Sequence, residues 1–198
     1  SPIIRQAHRV REDKPYLNDG EAFQVLKRGF TDEEIIDTDV ILCHTNPTRY
    51  AANTHARNVR GLWQPTPQPG EPVMCLKNAP AFGIFNGAVY TLVEPFLEGD
   101  ADITLDVDGA IMRIPFVTFN GIRSGVPDHV EPISSFDFGY AMTVHKAQGS
   151  EWDKVLLIDE YHRRQERREW LYTALTRAIN QIKVTIFPLG YKEPAPLP

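Results

Sequence analysis

The sequence predicts an α/β fold that is interrupted by an all-β segment. Short apolar runs typical of buried strands, at residues 40–43, 154–159 and 182–187, alternate with stretches that favour helices. From Ala88 to about Ile133 the pattern changes to short runs of alternating apolar and polar residues with no helix between them. This alternation indicates antiparallel strands, and its best interpretation is a small β-barrel inserted into an α/β domain.

The first part of the chain supports the α/β assignment. Ser1 and Pro2 suit the cap and the first position of a helix that extends to Arg11. The first apolar strand ends in a polar turn, residues 45–48, and a helix follows through Arg57. The side chains of this turn suit a phosphate at the start of a helix, and they suit simple helix caps equally well. Both interpretations remain open from the residues alone.

The later elements follow from turn signals and apolar runs. A proline-rich link at residues 65–72 leads to a further apolar strand at residues 73–77. The dipeptide Asp108-Gly109 between two alternating runs predicts a tight hairpin. A helix around Trp170 separates the last two apolar strands, and the proline-rich tail, residues 191–198, is expected to be flexible.

Composition and charge limit the class of protein. The 198 residues are 42% hydrophobic and 24% charged, as in a soluble globular protein of one medium domain. No apolar run has the length of a membrane span, and the start of the chain lacks the layout of a signal peptide, so we expect a cytoplasmic protein. The net charge of −5 argues mildly against a nucleic-acid binder, although a local groove can still grip a strand. Cys43 and Cys75 lie in apolar runs, where a disulfide or a metal site is unexpected.

Two segments near the end of the chain contain residues suited to contacts with phosphate groups. The first is Tyr140-Ala-Met-Thr-Val-His-Lys-Ala-Gln-Gly-Ser-Glu151, in which a glycine turn and a carboxylate follow a polar run, so that the backbone can approach a phosphate or a ribose. The second is Trp170-Leu-Tyr-Thr-Ala-Leu-Thr-Arg-Ala178, whose apolar residues share one helical face and leave Arg177 free to reach outward. An arginine aimed from a helix at a neighbouring site can stabilise a transferring phosphoryl group. Taken alone, such an arginine is more often a solvated surface residue.

Together, these two segments resemble the C-terminal signature motifs of superfamily 1 helicases, closest to the RecD/Dda branch that includes the alpha subunit of exodeoxyribonuclease V. Gly83-Ile-Phe-Asn-Gly87 also resembles the segment that leads into a small barrel in that branch. The resemblance implies the second of two RecA-like domains, with the parallel sheet of P-loop NTPases and an inserted barrel of the Src-homology-3 type. The implied bounds are residues 1–87 and 134–190 for the RecA-like domain, 88–133 for the barrel and 191–198 for the tail.

The resemblance also implies roles for individual residues. Arg177 would be the catalytic arginine finger that contacts the γ-phosphate of ATP across the cleft between the two RecA-like domains. Further residues would contact the nucleotide or single-stranded DNA. Those beside the nucleotide are Gln148, Gly149 and Glu151, and those on the DNA are Thr45, Asn46, Asn78, Thr143 and His145.

Some of these residue types have simpler explanations. A lone histidine such as His145 is more often satisfied by packing than by a ligand. Phe82, Phe85 and Trp63 are candidate platforms for stacked bases, although an aromatic residue is more often part of a core.

The groups that hold phosphates and magnesium in this family have no counterpart in the sequence. There is no Gly-x-x-x-x-Gly-Lys-Ser/Thr loop. Asp159-Glu160 follows an apolar strand, but we interpret it as a strand end with ordinary solvated carboxylates. The family keeps the phosphate loop and the magnesium ligands in the first RecA-like domain. ATP and Mg²⁺ are therefore expected cofactors of a longer protein, and this chain is expected to hold no metal ligands and to be inactive alone.

The implied function is the C-terminal motor domain of an ATP-dependent DNA helicase, moving 5′ to 3′ as this branch does, in DNA repair or recombination. The implied partners are single-stranded DNA, the N-terminal RecA-like domain of the same protein and subunits of a nuclease complex, with no membrane. The alternative is a stand-alone, non-catalytic module that binds single strands or a protein through the barrel. Another kind of phosphoryl-transfer enzyme is disfavoured by the missing phosphate loop.

Overall fold

A computed structural model describes residues 1–123, 125–161 and 164–190, with residues 164 and 165 as backbone only. The predicted tail lies outside the described residues. The chain divides into two compact units. Unit 1 combines Ser1–Gly61 with the described residues from Ala141 onward, and unit 2 is Leu62–Tyr140.

Four α-helices and eleven strands make up the described parts of the two units. The helices are α1 (Pro2–Arg11), α2 (Asp32–Asp37), α3 (Asn46–Asn58) and α4 (Arg164–Leu175), and a short 3-10 helix spans Pro80–Phe82. The strands are β1 (Phe23–Val25), β2 (Val40–Cys43), β3 (Pro72–Cys75), β4 (Val89–Leu92), β5 (Ile103–Val107), β6 (Ala110–Ile114), β7 (Val117–Phe119), β8 (Ser134–Phe138), β9 (Ala141–Thr143), β10 (Trp152–Ile158) and β11 (Ala178–Thr185). None of the described helices combines the length and the apolar composition that a membrane span needs.

Unit 1 is built on a five-stranded sheet in the order β1-β11-β10-β2-β9, in which every neighbouring pair is parallel. All of β2 and the last four residues of β10 are buried, as expected for central strands of a covered parallel sheet. α1 packs against α4, and α3 packs against β2 and β9. Because the carboxyl ends of parallel strands meet at the same edge of a sheet, the turns after β2, β9 and β10 lie at one edge. The predicted α/β architecture is confirmed in this unit.

Local sequence signals set the starts of three helices in unit 1. α1 begins with a proline after Ser1, as predicted, although Ser1 makes no side-chain capping bond. Thr45 caps α3 by accepting a hydrogen bond from the amide of Thr48. Thr31 and Glu34 form a reciprocal capping box at the start of α2.

Unit 2 holds a second sheet, in the order β6-β5-β4-β3-β8-β7. Its strand pairs are antiparallel except for β7 and β8, which run parallel. The predicted hairpin between β5 and β6 is confirmed. Asp108 and Gly109 have φ angles of 52° and 87°, and the tight two-residue turn requires a positive φ at both positions.

Unit 2 extends beyond the insertion predicted at residues 88–133. β3 and β8 flank that range in the sequence, and they pair with each other, with Val73 opposite Phe138. Buried residues of both strands share one core with side chains from inside the range, among them Leu105 and Phe119. The sheet therefore includes more of the chain than the alternating pattern indicated. The barrel of the Src-homology-3 type stays a prediction.

Glu34 makes the stability of unit 1 dependent on pH. Burial acts to raise the pKa of this carboxyl group, but hydrogen bonds from Arg28, from the amide of Thr31 and from Lys183 outweigh burial and lower the pKa to about 2. The folded pKa thus lies below the ordinary value of 4.5. Glu34 consequently stabilises the fold fully above pH 4.5, and this contribution is lost as the pH falls toward 2.

We expect Glu34→Gln to lower the free energy of unfolding by about 1 kcal/mol at neutral pH, because it removes charge-assisted hydrogen bonds that solvent partly screens. The deficit should shrink as the pH falls from 4.5 toward 2. Denaturant titrations across this range measure it. Glu33→Gln, at an exposed position of the same helix, serves as the control. A deficit of Glu34→Gln that stays constant down to pH 2 would contradict the assignment.

Candidate nucleotide and strand-binding site

The first motif segment crosses unit 1 from one edge of its sheet to the other. It begins as β9, which ends at Thr143, and continues as a tight turn in which the amide of Ala147 donates to the carbonyl of Thr143 at 3.1 Å. Gly149 has a φ of 90°, a left-handed conformation that glycine adopts without strain. The segment then enters β10 at Trp152. Thr143 therefore lies at the carboxyl end of one strand, and Glu151 precedes the amino end of the next.

Arg177 joins the two motif segments. α4 ends at Leu175, and the backbone then turns to enter β11, so Arg177 lies in a turn rather than on the helix. Its Nη1 donates to the carbonyl of Ser150 at 3.0 Å, and its Nε donates to the carbonyl of Thr173 at 3.2 Å. In return, the amide of Trp152 donates to the carbonyl of Arg177 at 2.9 Å. The prediction of an arginine that reaches freely outward from a helix is wrong, because Arg177 is half-buried and bonded to the first motif segment.

The other residues predicted beside the nucleotide lie along the same turn. Gln148, Gly149 and Glu151 are exposed, and the last two flank Ser150, whose carbonyl accepts the bond from Arg177. Glu151 and Arg177 directly precede β10 and β11, which are neighbours in the sheet. The structure thus brings Glu151 and Arg177 together at the amino ends of these two strands.

Four of the five residues predicted to contact the DNA strand lie at the opposite edge of the same sheet, where β2 and β9 end. Thr45 and Asn46 follow β2, and His145 follows β9, whose last residue, Thr143, pairs with Cys43. Thr143 is buried, whereas Asn46 and His145 are exposed. Glu151 and Arg177 therefore lie at the opposite edge of the sheet from Thr143, and the first motif segment connects the two edges.

Glu160 is not the ordinary solvated carboxylate that we predicted, and that prediction is wrong. Its Oε1 accepts hydrogen bonds from the amides of His44 and Thr45 at 2.8 and 2.9 Å, and its Oε2 accepts one from the hydroxyl of Thr48 at 2.5 Å. The interpretation of this turn as a capped helix start is confirmed for Thr45. The turn between β2 and α3 therefore already holds a carboxylate of the protein itself.

Asp159 also differs from the prediction of a solvated carboxylate. Its side chain is only 1% exposed and pairs with Arg167 of α4, and it accepts a hydrogen bond from the hydroxyl of Tyr16 at 2.6 Å. Burial raises the pKa of Tyr16, and the neighbouring carboxylate adds to that rise. Asp159 consequently links the segment after α1 to α4. The sequence pattern carried no signal for partners so distant along the chain.

Residues 138–182, which contain both motif segments, match the family described as UvrD-like helicase C-terminal domain. We call this stretch, which is similar to that family, the helicase segment. The helicase segment includes β9, β10, α4 and the first part of β11. It therefore covers the turn around Gly149 and the junction at Arg177 that the structure describes.

Two curated relatives match a little over half of the chain. The ATP-dependent RecD2 DNA helicase of Deinococcus radiodurans is 37% identical over 112 residues, which are 56% of this chain and 13% of the relative. The RecBCD enzyme subunit RecD of Buchnera aphidicola subsp. Schizaphis graminum is 25% identical over 116 residues, which are 58% of this chain and 17% of the relative. The chain spans less than a fifth of the length of these relatives.

Solved structures of Pif1 helicases share the fold. The Pif1 helicase of Bacteroides bound to single-stranded DNA is 17% identical with a TM-score of 0.58, over 92% of this chain and 48% of that one. The Pif1 helicase of Candida albicans is 15% identical with a TM-score of 0.56, over 93% of this chain and 53% of that one. This likeness confirms the predicted RecA-like α/β fold.

Sequence reasoning missed a cavity of about 500 Å³ beside the helicase segment. Its aromatic wall is a cluster in which the rings of Tyr161 and Trp170 stack with centroids 5.4 Å apart, and His44 meets Tyr161 edge-on at 4.2 Å. His145 and Gln148 line the same cavity. His145, predicted to contact the DNA strand, and Gln148, predicted to contact ATP, are thus brought to one cavity. No pattern could have indicated this, because the lining comes from separate elements.

Asn78 lies in unit 2 and organises a loop there. Its side-chain oxygen accepts a hydrogen bond from the amide of Asn86 at 2.6 Å. In that loop Phe85 is 54% exposed, and Trp63 elsewhere in the unit is 71% exposed. Phe82 packs against the core of the unit. Of the three aromatic residues considered as stacking platforms, Phe85 and Trp63 are therefore the accessible ones.

Proposed function

We propose that this chain is the second, C-terminal motor domain of an ATP-dependent DNA helicase of the RecD type. The observation that carries this proposal is the junction at Arg177, where bonds to Ser150 and from Trp152 hold the two helicase signature segments together. A guanidinium beside an exposed turn suits a site that receives phosphate from a second domain. The related protein of Deinococcus radiodurans is named an ATP-dependent DNA helicase, which supports ATP as the nucleotide.

Arg177 acts in this proposal as the arginine finger, and Gln148, Gly149 and Glu151 contact the nucleotide beside it. ATP bound there supplies the phosphoryl group that is transferred to water. The residues present fit a contribution to the nucleotide site rather than a complete one, because they offer one cation and no phosphate loop. Hydrolysis therefore depends on a preceding RecA-like domain.

Magnesium is held outside this chain in the proposed helicase. Among the described residues, no group of three or more His, Cys, Asp and Glu side chains is arranged to hold a metal ion. Asp159 and Glu160 do not fit the role of a magnesium-binding pair, because protein donors already engage both carboxylates.

We propose that single-stranded DNA binds unit 1 at the edge of the sheet where β2 and β9 end. This edge, which we call the strand edge, is formed by Thr45, Asn46, Thr143 and His145. Asn78 of unit 2 is proposed as a further contact. The related Pif1 helicase of Bacteroides was solved with single-stranded DNA, and RecD of Buchnera is a subunit of an enzyme complex. By the same resemblance we propose movement from 5′ to 3′, and association with a nuclease complex in DNA repair or recombination.

Strand binding by the chain itself is tested through His145. We expect His145→Ala to weaken the binding of a labelled oligothymidylate by about tenfold, because an exposed ring at this edge can stack on a base. Fluorescence anisotropy at low and moderate salt measures the affinity, which should fall steeply with salt if phosphates are contacted. His129→Ala removes an exposed histidine of unit 2 and is expected to bind as the wild type does. Equal affinity of the two variants would contradict the binding of DNA at the strand edge.

A further inference from the structure

The turn between β2 and α3 gathers three hydrogen-bond donors around one point. The amides of His44 and Thr45 and the hydroxyl of Thr48 all donate to the carboxylate of Glu160, at 2.8, 2.9 and 2.5 Å. Both carboxylate oxygens are used, one by the two amides and one by the hydroxyl. The turn therefore behaves as an anion-binding concavity whose anion belongs to the protein.

Glu160 reaches this turn because of its place at the end of β10. The amide of Glu160 donates to the carbonyl of Ile158 at 3.0 Å, so the chain turns directly after β10. Asp159 contacts Tyr16 and Arg167 on the face of α1 and α4, whereas Glu160 contacts the start of α3. Glu160 is half-buried, so its side chain borders solvent while it holds these donors.

The same donors are those that a DNA phosphate would require. Thr45 belongs to the proposed strand edge, and a phosphate oxygen bound at this turn would accept from the amide of Thr45 and from the hydroxyl of Thr48. In the structure these two donors are engaged by Glu160. A phosphate would also approach a carboxylate of like charge, which repels it. The two anions cannot share the turn.

We infer that Glu160 is an internal competitor of the DNA phosphate at the turn between β2 and α3. The carboxylate holds the donors in place while no strand is bound, and strand binding requires it to swing out into solvent. Glu160 thereby lowers the affinity of the chain for single-stranded DNA. This inference rests on the proposed strand edge.

The test compares the intact chain with its Glu160→Gln variant in binding of a labelled oligothymidylate by fluorescence anisotropy. Glutamine keeps the length of the side chain and an oxygen for the amides but loses the charge. We expect the variant to bind the strand about threefold to tenfold more tightly, since a neutral amide competes less well for these donors than a carboxylate does. Glu33→Gln removes the same charge from an exposed position of unit 1 and should bind as the wild type does.

The possible outcomes separate this inference from the proposed function. Tighter binding by Glu160→Gln, with Glu33→Gln unchanged, supports the competition. An equal gain in both variants overturns it, because the effect is then one of net charge. Unchanged or weaker binding by Glu160→Gln, with a wild-type chain that binds, overturns the competition and leaves the strand edge standing. No binding by any variant overturns both. Thermal unfolding of each variant verifies that the fold is retained.

Discussion

Replacing Arg177 with alanine in the complete helicase is expected to reduce DNA-stimulated ATP hydrolysis by about 10³-fold to 10⁵-fold, the range seen for arginine fingers. Binding of single-stranded DNA should stay nearly unchanged. Asn46 and His145 lie at the opposite edge of the sheet from Arg177, so the loss of the guanidinium leaves their contacts in place. A coupled assay of ATP turnover with saturating oligothymidylate measures the first effect, and anisotropy measures the second.

Arg168→Ala provides a matched control for this experiment, because Arg168 is an exposed arginine of the same helix that ends before Arg177. This variant is expected to retain turnover. Turnover of Arg177→Ala within about twofold of the wild type would remove the finger role. Loss of turnover together with loss of strand binding would show instead that Arg177 acts by supporting the turn at Ser150.

The hydrogen bonds of Arg177 are compatible with a phosphate contact. A guanidinium has five N–H donors, and within the described residues three of them are used, by Thr173, Ser150 and Thr176. The other two donors make no hydrogen bond within the described residues, so they can donate to an oxyanion. Lysine has one nitrogen and cannot hold two carbonyl groups and a phosphate in this geometry. Arg177→Lys is therefore expected to recover only a small part of the activity.

Features with a local signal were predicted correctly from the sequence. The apolar runs at β2 and β10 gave the central strands of the sheet, since a covered parallel strand is apolar throughout. Asp108-Gly109 gave the hairpin, because its two residues adopt the positive φ angles that the turn requires. Gly149 marked the turn of the first motif segment for the same reason.

Features that depend on distant partners could not be predicted. Glu160 and Thr48 are 112 positions apart, and Asp159 and Tyr16 are 143 positions apart. A pattern of residue types along the chain does not indicate which carboxylate will meet which donor. The limits of unit 2 were missed for the same reason, because β3 joins its sheet through pairing with β8 on the far side of the insertion.

Asp159 is expected to be among the most important polar residues for the stability of unit 1. We expect Asp159→Ala to lower the free energy of unfolding of this unit by about 3 kcal/mol. The substitution leaves the hydroxyl of Tyr16 without its acceptor and removes the partner of Arg167. The loss is limited because the Arg167 side chain is 37% exposed and can turn to solvent. Hydrogen exchange of the amides in β10 and β11 measures this loss of stability, since both strands belong to unit 1.

The matched control for this substitution is Asp37→Ala, which removes the carboxylate that pairs with Lys154 at 2.8 Å on the same unit. Asp37 is 67% exposed, and an exposed ion pair contributes little to stability. Exchange in β10 and β11 should therefore accelerate strongly in Asp159→Ala and hardly at all in Asp37→Ala. Exchange in β5 should stay unchanged in both variants, because β5 belongs to unit 2. Equal acceleration by the two substitutions would mean that burial of Asp159 adds nothing to its ion pair, and that α4 is held to the sheet by its apolar contacts alone.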